Sequence, residues 1–252
     1  MIKEFLGNLG FATIRAGGII PGRTHLDKYS HWICLKSLLD QLRINCVIDV
    51  GANRGQFALN VRRTGYQGPL LSFEPNPEGF PELLRLSEDD KLWHTFNVAL
   101  GKENGEKPFH VMKNPLFNSF LDPRTTNSSY SHPGMQVVRT EGVKVRRLDS
   151  ILPEVLPDSH PRILLKLDTQ GFDLEVFTGA KGCRESILAL QSELSVSPIY
   201  ERMPHYLDAL HYYESFGFSL MNLSVVSRTT QQSILEYDCL MARLDELELS
   251  FI

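Results

Sequence analysis

Between Asp49 and Gly55 the chain reads Asp-Val-Gly-Ala-Asn-Arg-Gly, directly after the apolar run Cys46-Val47-Ile48. Glycines in this place let a chain turn sharply out of a buried strand and let its backbone come close to a ligand, while the following helix presents free N–H groups. Gly51, Asn53, Gly55 and Gln56 are therefore candidate contacts, and Asn53 also has the side chain to stabilise the turn itself. Asp49 takes the last inward position of the strand, where a carboxylate can accept from an amine or organise the loop. Glu74 follows about 20 positions beyond the glycine turn, the place from which an acid holds the two hydroxyls of a ribose. Asn97-Val98-Ala99, at the end of the next apolar segment, is placed to stack on or hydrogen-bond an adenine. Three successive strand ends thus describe a site for an adenosine ligand.

Dinucleotide sites share this geometry, but their G-x-G-x-x-G turn is built to rest a pyrophosphate on the helix N-terminus. Here the pattern is D-x-G-x-N-x-G, and an acid within the strand end repels a pyrophosphate and suits a cationic sulfonium. Electrostatics therefore favours S-adenosylmethionine over NAD.

These residues have to be positioned by alternating strands and helices. CVIDVG (46–51) reads as a strand buried on both faces, 55–64 as a helix, LLSFEP (70–75) as a strand, 77–87 as a helix and LWHTFNVAL (92–100) as a strand. Such alternation calls for a parallel sheet with right-handed crossovers. KPFHVM (107–112) and GVKVRR (142–147) are expected strands, separated by the turn-rich PRTTNSSYSHPG (123–134), where a substrate-facing lid is expected. The alternation resumes with RILLKLD (162–168) as a strand, 172–180 as a helix with Asp173 and Glu175 in its first turn, ILALQSEL (187–194) as a strand and 204–216 as a helix. GFSLMNL (217–223) and SILEYDCLMARL (233–244) are expected to pair as an antiparallel hairpin at the sheet edge. Ahead of all this, Trp32, Ile33, Leu35, Leu38, Leu39 and Leu42 recur at helical spacing.

Composition narrows the function class. A chain of 252 residues suits one large core. We expect an N-terminal helical extension over 1–45 and one domain over 46–245, with a lid-like insertion around 113–141. The net charge of -4 leaves no excess with which to bind a polyanion, so nucleic acid is not expected as a partner. Cys34, Cys46, Cys183 and Cys239 are scattered, with no zinc spacing, and no run of about 18 uncharged apolar residues occurs. A cytoplasmic protein with no integral membrane segment is expected.

The ordered blocks VIDVGANRGQF (47–57), SFEPNP (72–77), NVALG (97–101), NSFL (118–121), VKVRRLDSIL (143–152), LLKLDTQGFDLEVFTGA (164–180) and LALQSEL (188–194) resemble the FkbM-type methyltransferases. The resemblance covers nearly all of the chain from Cys46 to Arg243. It implies an α/β class I methyltransferase Rossmann-like fold: a seven-stranded, mostly parallel sheet with an antiparallel last strand and helices on both faces. It also implies S-adenosylmethionine as cofactor and, as acceptor, a hydroxyl of a sugar in a glycan, glycolipid or glycosylated natural product. The family carries an acid where this chain has Gln170, which removes a charge and leaves hydrogen bonding intact. An NAD(P)-dependent oxidoreductase and a non-catalytic adenosine-binding module are the alternatives; Asp49 and the absent third glycine speak against the first, and Gln170 is the best argument for the second.

Transfer to an alcohol needs alignment of nucleophile, methyl and sulfur, and a group to take the proton. Asp168, at the end of the fourth central strand, is the first candidate and also a cofactor candidate; Glu193, near the end of the next, is the second. Asp168 could instead cap the following helix, and Glu193 could be an ion-pair partner of Lys166. Together they could hold a divalent metal, but no third ligand is evident and a metal is not expected. Ser119 is a weaker candidate contact. His110, His132 and His205 are more simply surface or satisfied core residues, and Arg146 and Arg147 a solvated pair.

Overall fold

In the computed structural model, residues 11–13, 19–21, 23–124, 132–156 and 160–246 are the ones described. Its centre is made by two strands buried along their whole length, β3 (Cys46–Val50) and β9 (Ile163–Leu167). Their sequences, CVIDV and ILLKL, carry apolar residues on both faces, as strands sandwiched between helix layers must. They pair in parallel, Cys46 with Ile163 through Val50 with Leu167, and this register sets Asp49 directly against Lys166.

Around this pair the seven-stranded sheet runs β11 (Phe218–Arg228), β12 (Ile234–Arg243), β10 (Ile187–Ser195), β9, β3, β4 (Leu70–Phe73), β5 (Trp93–Phe96). Strand alternation sends Val47, Leu70 and Leu164 to one face. There they meet α1 (Arg23–Gln41), α2 (Gln56–Arg63) and α3 (Phe80–Ser87). Leu35, Leu38, Leu39 and Leu42 line the inner side of α1 and the turn after it at helical spacing. Ile48, Val50, Leu165 and Leu167 point the other way, into a larger core with α4 (Leu148–Val155), α5 (Asp173–Thr178) and α6 (Tyr206–Glu214). The expected α/β architecture, with helices on both faces of a mostly parallel sheet, is thus present. Among the described residues no helix is long and apolar enough to cross a membrane.

The expected antiparallel hairpin of the last two strands stands at one edge of the sheet, with β11 outermost and β12 between it and β10. Burial explains the order: Cys239–Ala242 of β12 is buried throughout, whereas β11 alternates with exposed positions. The segment 92–100 is not one strand. It divides at Asn97, whose Nδ2 donates to the Glu74 and Pro75 carbonyls at 2.9 and 3.3 Å, and Ala99–Leu100 (β6) joins a second sheet. That sheet, ordered β6, β8 (Val137–Arg146), β7 (Gly105–Met112), contains the two strands expected in the middle of the chain.

A short hairpin precedes α1, β1 (Phe11–Thr13) with β2 (Ile19–Pro21). Within the expected insertion, a one-turn helix at Pro115–Phe117 is capped by the Asn114 side chain, which accepts from the Leu116 N–H, and β8 already begins at Val137. Residues 125–131 of the expected lid lie outside the described ones.

Candidate active site

At the carboxyl ends of the parallel strands lies a cavity of about 340 Å³, within the range usual for small-molecule sites. Its floor is the glycine turn. Gly51 adopts φ +73° and Gly55, at the start of α2, φ +87°, both in the left-handed region that glycine tolerates. The turn is held from the next strand: the two Glu74 oxygens accept from the Asn53 and Asn76 backbone N–H groups, each at 2.7 Å. Burial pushes the Glu74 carboxyl up, and those two donors pull it back.

Gly51, Asn53, Glu74, Ala99, Asp168 and Glu193 all line the cavity, so six of the expected site residues meet in one place. Asp49, Gly55, Gln56, Asn97 and Val98 do not line it. Asn97 is spent on the Glu74–Pro75 backbone, and Val98 is buried behind it. Asp49 lies beneath the turn, fully buried, with Oδ1 2.9 Å from Lys166 Nζ. Lys166 also reaches the Gly51 carbonyl at 3.1 Å and Asp168 Oδ2 at 3.5 Å. Burial works against the Lys166 ammonium, but Asp49 and Asp168 outweigh it and hold it charged.

Lys166 is therefore not the partner of Glu193. That carboxylate faces Asp238 in the β10–β12 register and accepts from Gln170 Nε2 at 3.0 Å. Burial, reinforced by Asp168, Glu236 and Asp238, pushes Glu193 well above the ordinary carboxyl range, and burial likewise pushes Asp238 up to about 7. Asp168 is the more open of the two expected acids, 43% exposed at its side chain. It does not cap the helix, since α5 starts without a side-chain cap. The acid that fixes this turn is Asp173, buried, which accepts from the Thr169 N–H at 2.9 Å and from Ser192 Oγ at 2.7 Å. Ser119 sits outside the cavity lining and donates to the Gln170 carbonyl at 2.8 Å.

The residues that sequence reasoning missed are Asn76, Thr169, Glu236 and an apolar wall of Phe109, Leu116, Phe117 and Phe120. Asn76, Thr169 and Phe120 lay inside the blocks that carry the resemblance without being singled out, and Glu236 carried a signal as an acid two positions from Asp238 in an otherwise apolar strand. His110 pairs with Asp122 and Thr140, His132 with the Gly134 N–H, and His205 precedes α6; none lines the cavity. Arg146 and Arg147 pair with Glu154 and Asp149.

A glycine turn, a carboxylate on the second strand end and two acids on the fourth and fifth are now in place. A family model, the Methyltransferase FkbM domain, matches residues 49–220, and so contains every one of these groups. The chain belongs to the FkbM methyltransferase family. Among similar proteins, Methyltransferase sdnD of Sordaria araneosa is 32% identical over 157 residues, 53% of this chain and 59% of that protein. Methyltransferase 1 of Beauveria bassiana (strain ARSEF 2860) is 31% identical over 143 residues, 53% and 57% of the two chains. The matches thus span less than two thirds of each of these relatives. In solved structures a similar chain is Methyltransferase FkbM from Methylobacillus flagellatus KT, at TM-score 0.49 and 17% identity over 79% of this chain and 43% of that one.

Proposed function

We propose that this FkbM-family chain transfers a methyl group from S-adenosylmethionine to a hydroxyl, on a sugar of a glycan, glycolipid or glycosylated natural product. The observation that carries the cofactor half of this reading is the charge of the cavity. Asp168 and Glu236 face it together with Glu74 and Glu193, two acids whose burial favours the neutral form, and no Lys, Arg or His does among the described residues. Such a lining repels a pyrophosphate and attracts a sulfonium cation, which speaks against NAD(P). Glu74, buried and fixed by two backbone donors, fits a ribose diol, and Gly51 leaves the floor open to a ligand.

S-adenosylmethionine, when bound, supplies an activated methyl on a positively charged sulfur. Adding S-adenosylmethionine or S-adenosylhomocysteine at a hundred times the dissociation constant is expected to stabilise the protein by about 2.7 kcal/mol. NAD and NADP run in parallel are expected to do nothing. Melting curves unmoved by the first two would sink the cofactor assignment.

For the chemistry we assign proton acceptance to Asp168, the open carboxylate, with Glu193 behind it. Lys166 steadies one Asp168 oxygen from below. Carboxylates at the mouth also suit a polyhydroxyl acceptor, because each oxygen can accept from a sugar hydroxyl. Asp168→Asn is expected to keep S-adenosylhomocysteine binding and to lower methyl transfer at least about tenfold, a floor set below the roughly 10²–10⁴-fold typical of general acid–base catalysis. Turnover can be followed by mass spectrometry on a pool of glycosides; an unchanged rate removes Asp168 from the mechanism. We place the protein in the cytoplasm, a reading supported by Cys34, Cys183 and Cys239, none of which forms a disulfide.

A further inference from the structure

Gln170 occupies a strained and well-anchored position. Its backbone has φ +52°, a left-handed conformation that costs a residue with a Cβ roughly 1–2 kcal/mol. Its carbonyl is held by Ser119 Oγ at 2.8 Å, so the conformation is imposed by the surrounding structure. The strain aims the side chain between the two acids of the site. Nε2 lies 3.0 Å from Glu193 Oε2 and 3.5 Å from Asp168 Oδ1, while Oε1 turns toward the Tyr200 hydroxyl at 3.4 Å. In this orientation the amide N–H groups face the oxygens of both acids and the amide oxygen faces a hydroxyl that can donate; flipped, the amide oxygen would face the two carboxylates.

We propose that Gln170 is a positioning residue: its amide bridges Asp168 and Glu193 and holds them as one open and one buried acid of a single site. This rests on the methyl-transfer reading above. The second contact on each acid differs in kind. Asp168 has Lys166 at its other oxygen, whereas Glu193 has only acids near it, Asp238 and Glu236 from β12 and Asp173 from α5. Tyr200, from the other side, donates chiefly to the Phe117 carbonyl at 2.7 Å and brings no charge. Gln170 is thus the neutral donor that lets two carboxyl groups converge on one cavity. An acid at 170 would add a third carboxyl group to that convergence, and an apolar side chain would leave it without a bridge.

The test is the titration of the Glu193 carboxyl, followed by ¹³C NMR on protein labelled at Glu and Asp, in the wild type, Gln170→Met and Gln170→Glu. Assignment comes from Glu193→Gln spectra. A lost donor disfavours the charged form, so the midpoint in Gln170→Met is expected to rise by about half a pH unit or more, and in Gln170→Glu by more still. A midpoint unchanged in Gln170→Met overturns the bridge, even if Gln170→Glu moves, because an added charge alone would then account for the shift. Should Gln170→Glu fail to fold, Gln170→Met decides. S-adenosylhomocysteine affinity, measured on the same samples by calorimetry, is expected to change less than about threefold, since positioning of the acids leaves the glycine turn intact. No binding by any of the three proteins, wild type included, would defeat the cofactor assignment while leaving the Glu193 result to stand or fall separately.

Discussion

Gly51→Ala is expected to cost about 2–5 kcal/mol of stability, a large share of the roughly 5–15 kcal/mol that holds a domain together. A Cβ at this position would lie 1.9 Å from the Asp168 carbonyl oxygen and 2.9 Å from its carbon. That oxygen cannot move aside cheaply, because the Asp168 N–H donates to the Val50 carbonyl at 3.1 Å and the two strands pair along their length. Two costs therefore add: roughly 1–2 kcal/mol for a side chain at φ +73° and roughly 1–3 kcal/mol for forcing packed backbone apart. Gly55→Ala is the comparison. Its new Cβ would meet Trp93 and Leu83 side-chain atoms at 3.0–3.1 Å, which can shift by a few tenths of an ångström, so a smaller loss is expected. Urea midpoints of the two variants, with and without S-adenosylhomocysteine, make the measurement. A Gly51→Ala protein within about 1 kcal/mol of wild type would mean that β3 and β9 do not approach as described.

What could be read in advance follows from which forces are local. The buried strands were legible because CVIDV and ILLKL are continuous apolar runs, and the turn because only glycine suits its backbone. Register between strands is not local, and the errors concentrate there. Lys166 was a possible ion-pair partner for Glu193, the alternative to a catalytic role, whereas the parallel register places it opposite Asp49 and leaves Glu193 opposite Asp238. The same pairing alters the electrostatic case for the ligand. Asp49 does not line the cavity and is paired with Lys166 under the floor; the acids that do line it are Glu74, Asp168, Glu193 and Glu236. Glu236 belongs to the site because β12 inserts beside β10, an order decided by which strand buries more apolar surface. Asp173 was legible as an acid at a helix start, and its bond to Thr169 is local, but its bond from Ser192 comes from a strand residue 19 positions away in sequence.

Lys166→Met is the substitution through which that hidden pair is tested, and it is expected to cost about 3–5 kcal/mol, the usual consequence of stranding one member of a buried ion pair. Asp49 is fully buried, and its other oxygen has no hydrogen-bond partner, so removing the ammonium leaves a carboxylate with nothing to offset its lost hydration. Burial already pushes Asp49 up and only Lys166 pulls it down substantially. In the variant its folded-state pKa must rise far above the unfolded value, and such a group contributes stability below the unfolded pKa that is lost as pH rises through the folded one. The deficit relative to wild type is therefore expected to be smallest in acid and to grow toward neutral and alkaline pH. Adding Asp49→Asn to Lys166→Met removes the stranded charge and is expected to recover a good part of the loss, giving a coupling of about 1–3 kcal/mol in a double-mutant cycle. Ligand binding should follow a different rule. Lys166 also donates to the Gly51 carbonyl at 3.1 Å, a contact no asparagine at 49 restores, so the double variant is expected to regain its fold while binding S-adenosylhomocysteine more weakly than wild type. Additive losses, or a deficit that shrinks as pH rises, would show that Asp49 and Lys166 do not form the charged pair beneath the glycine turn.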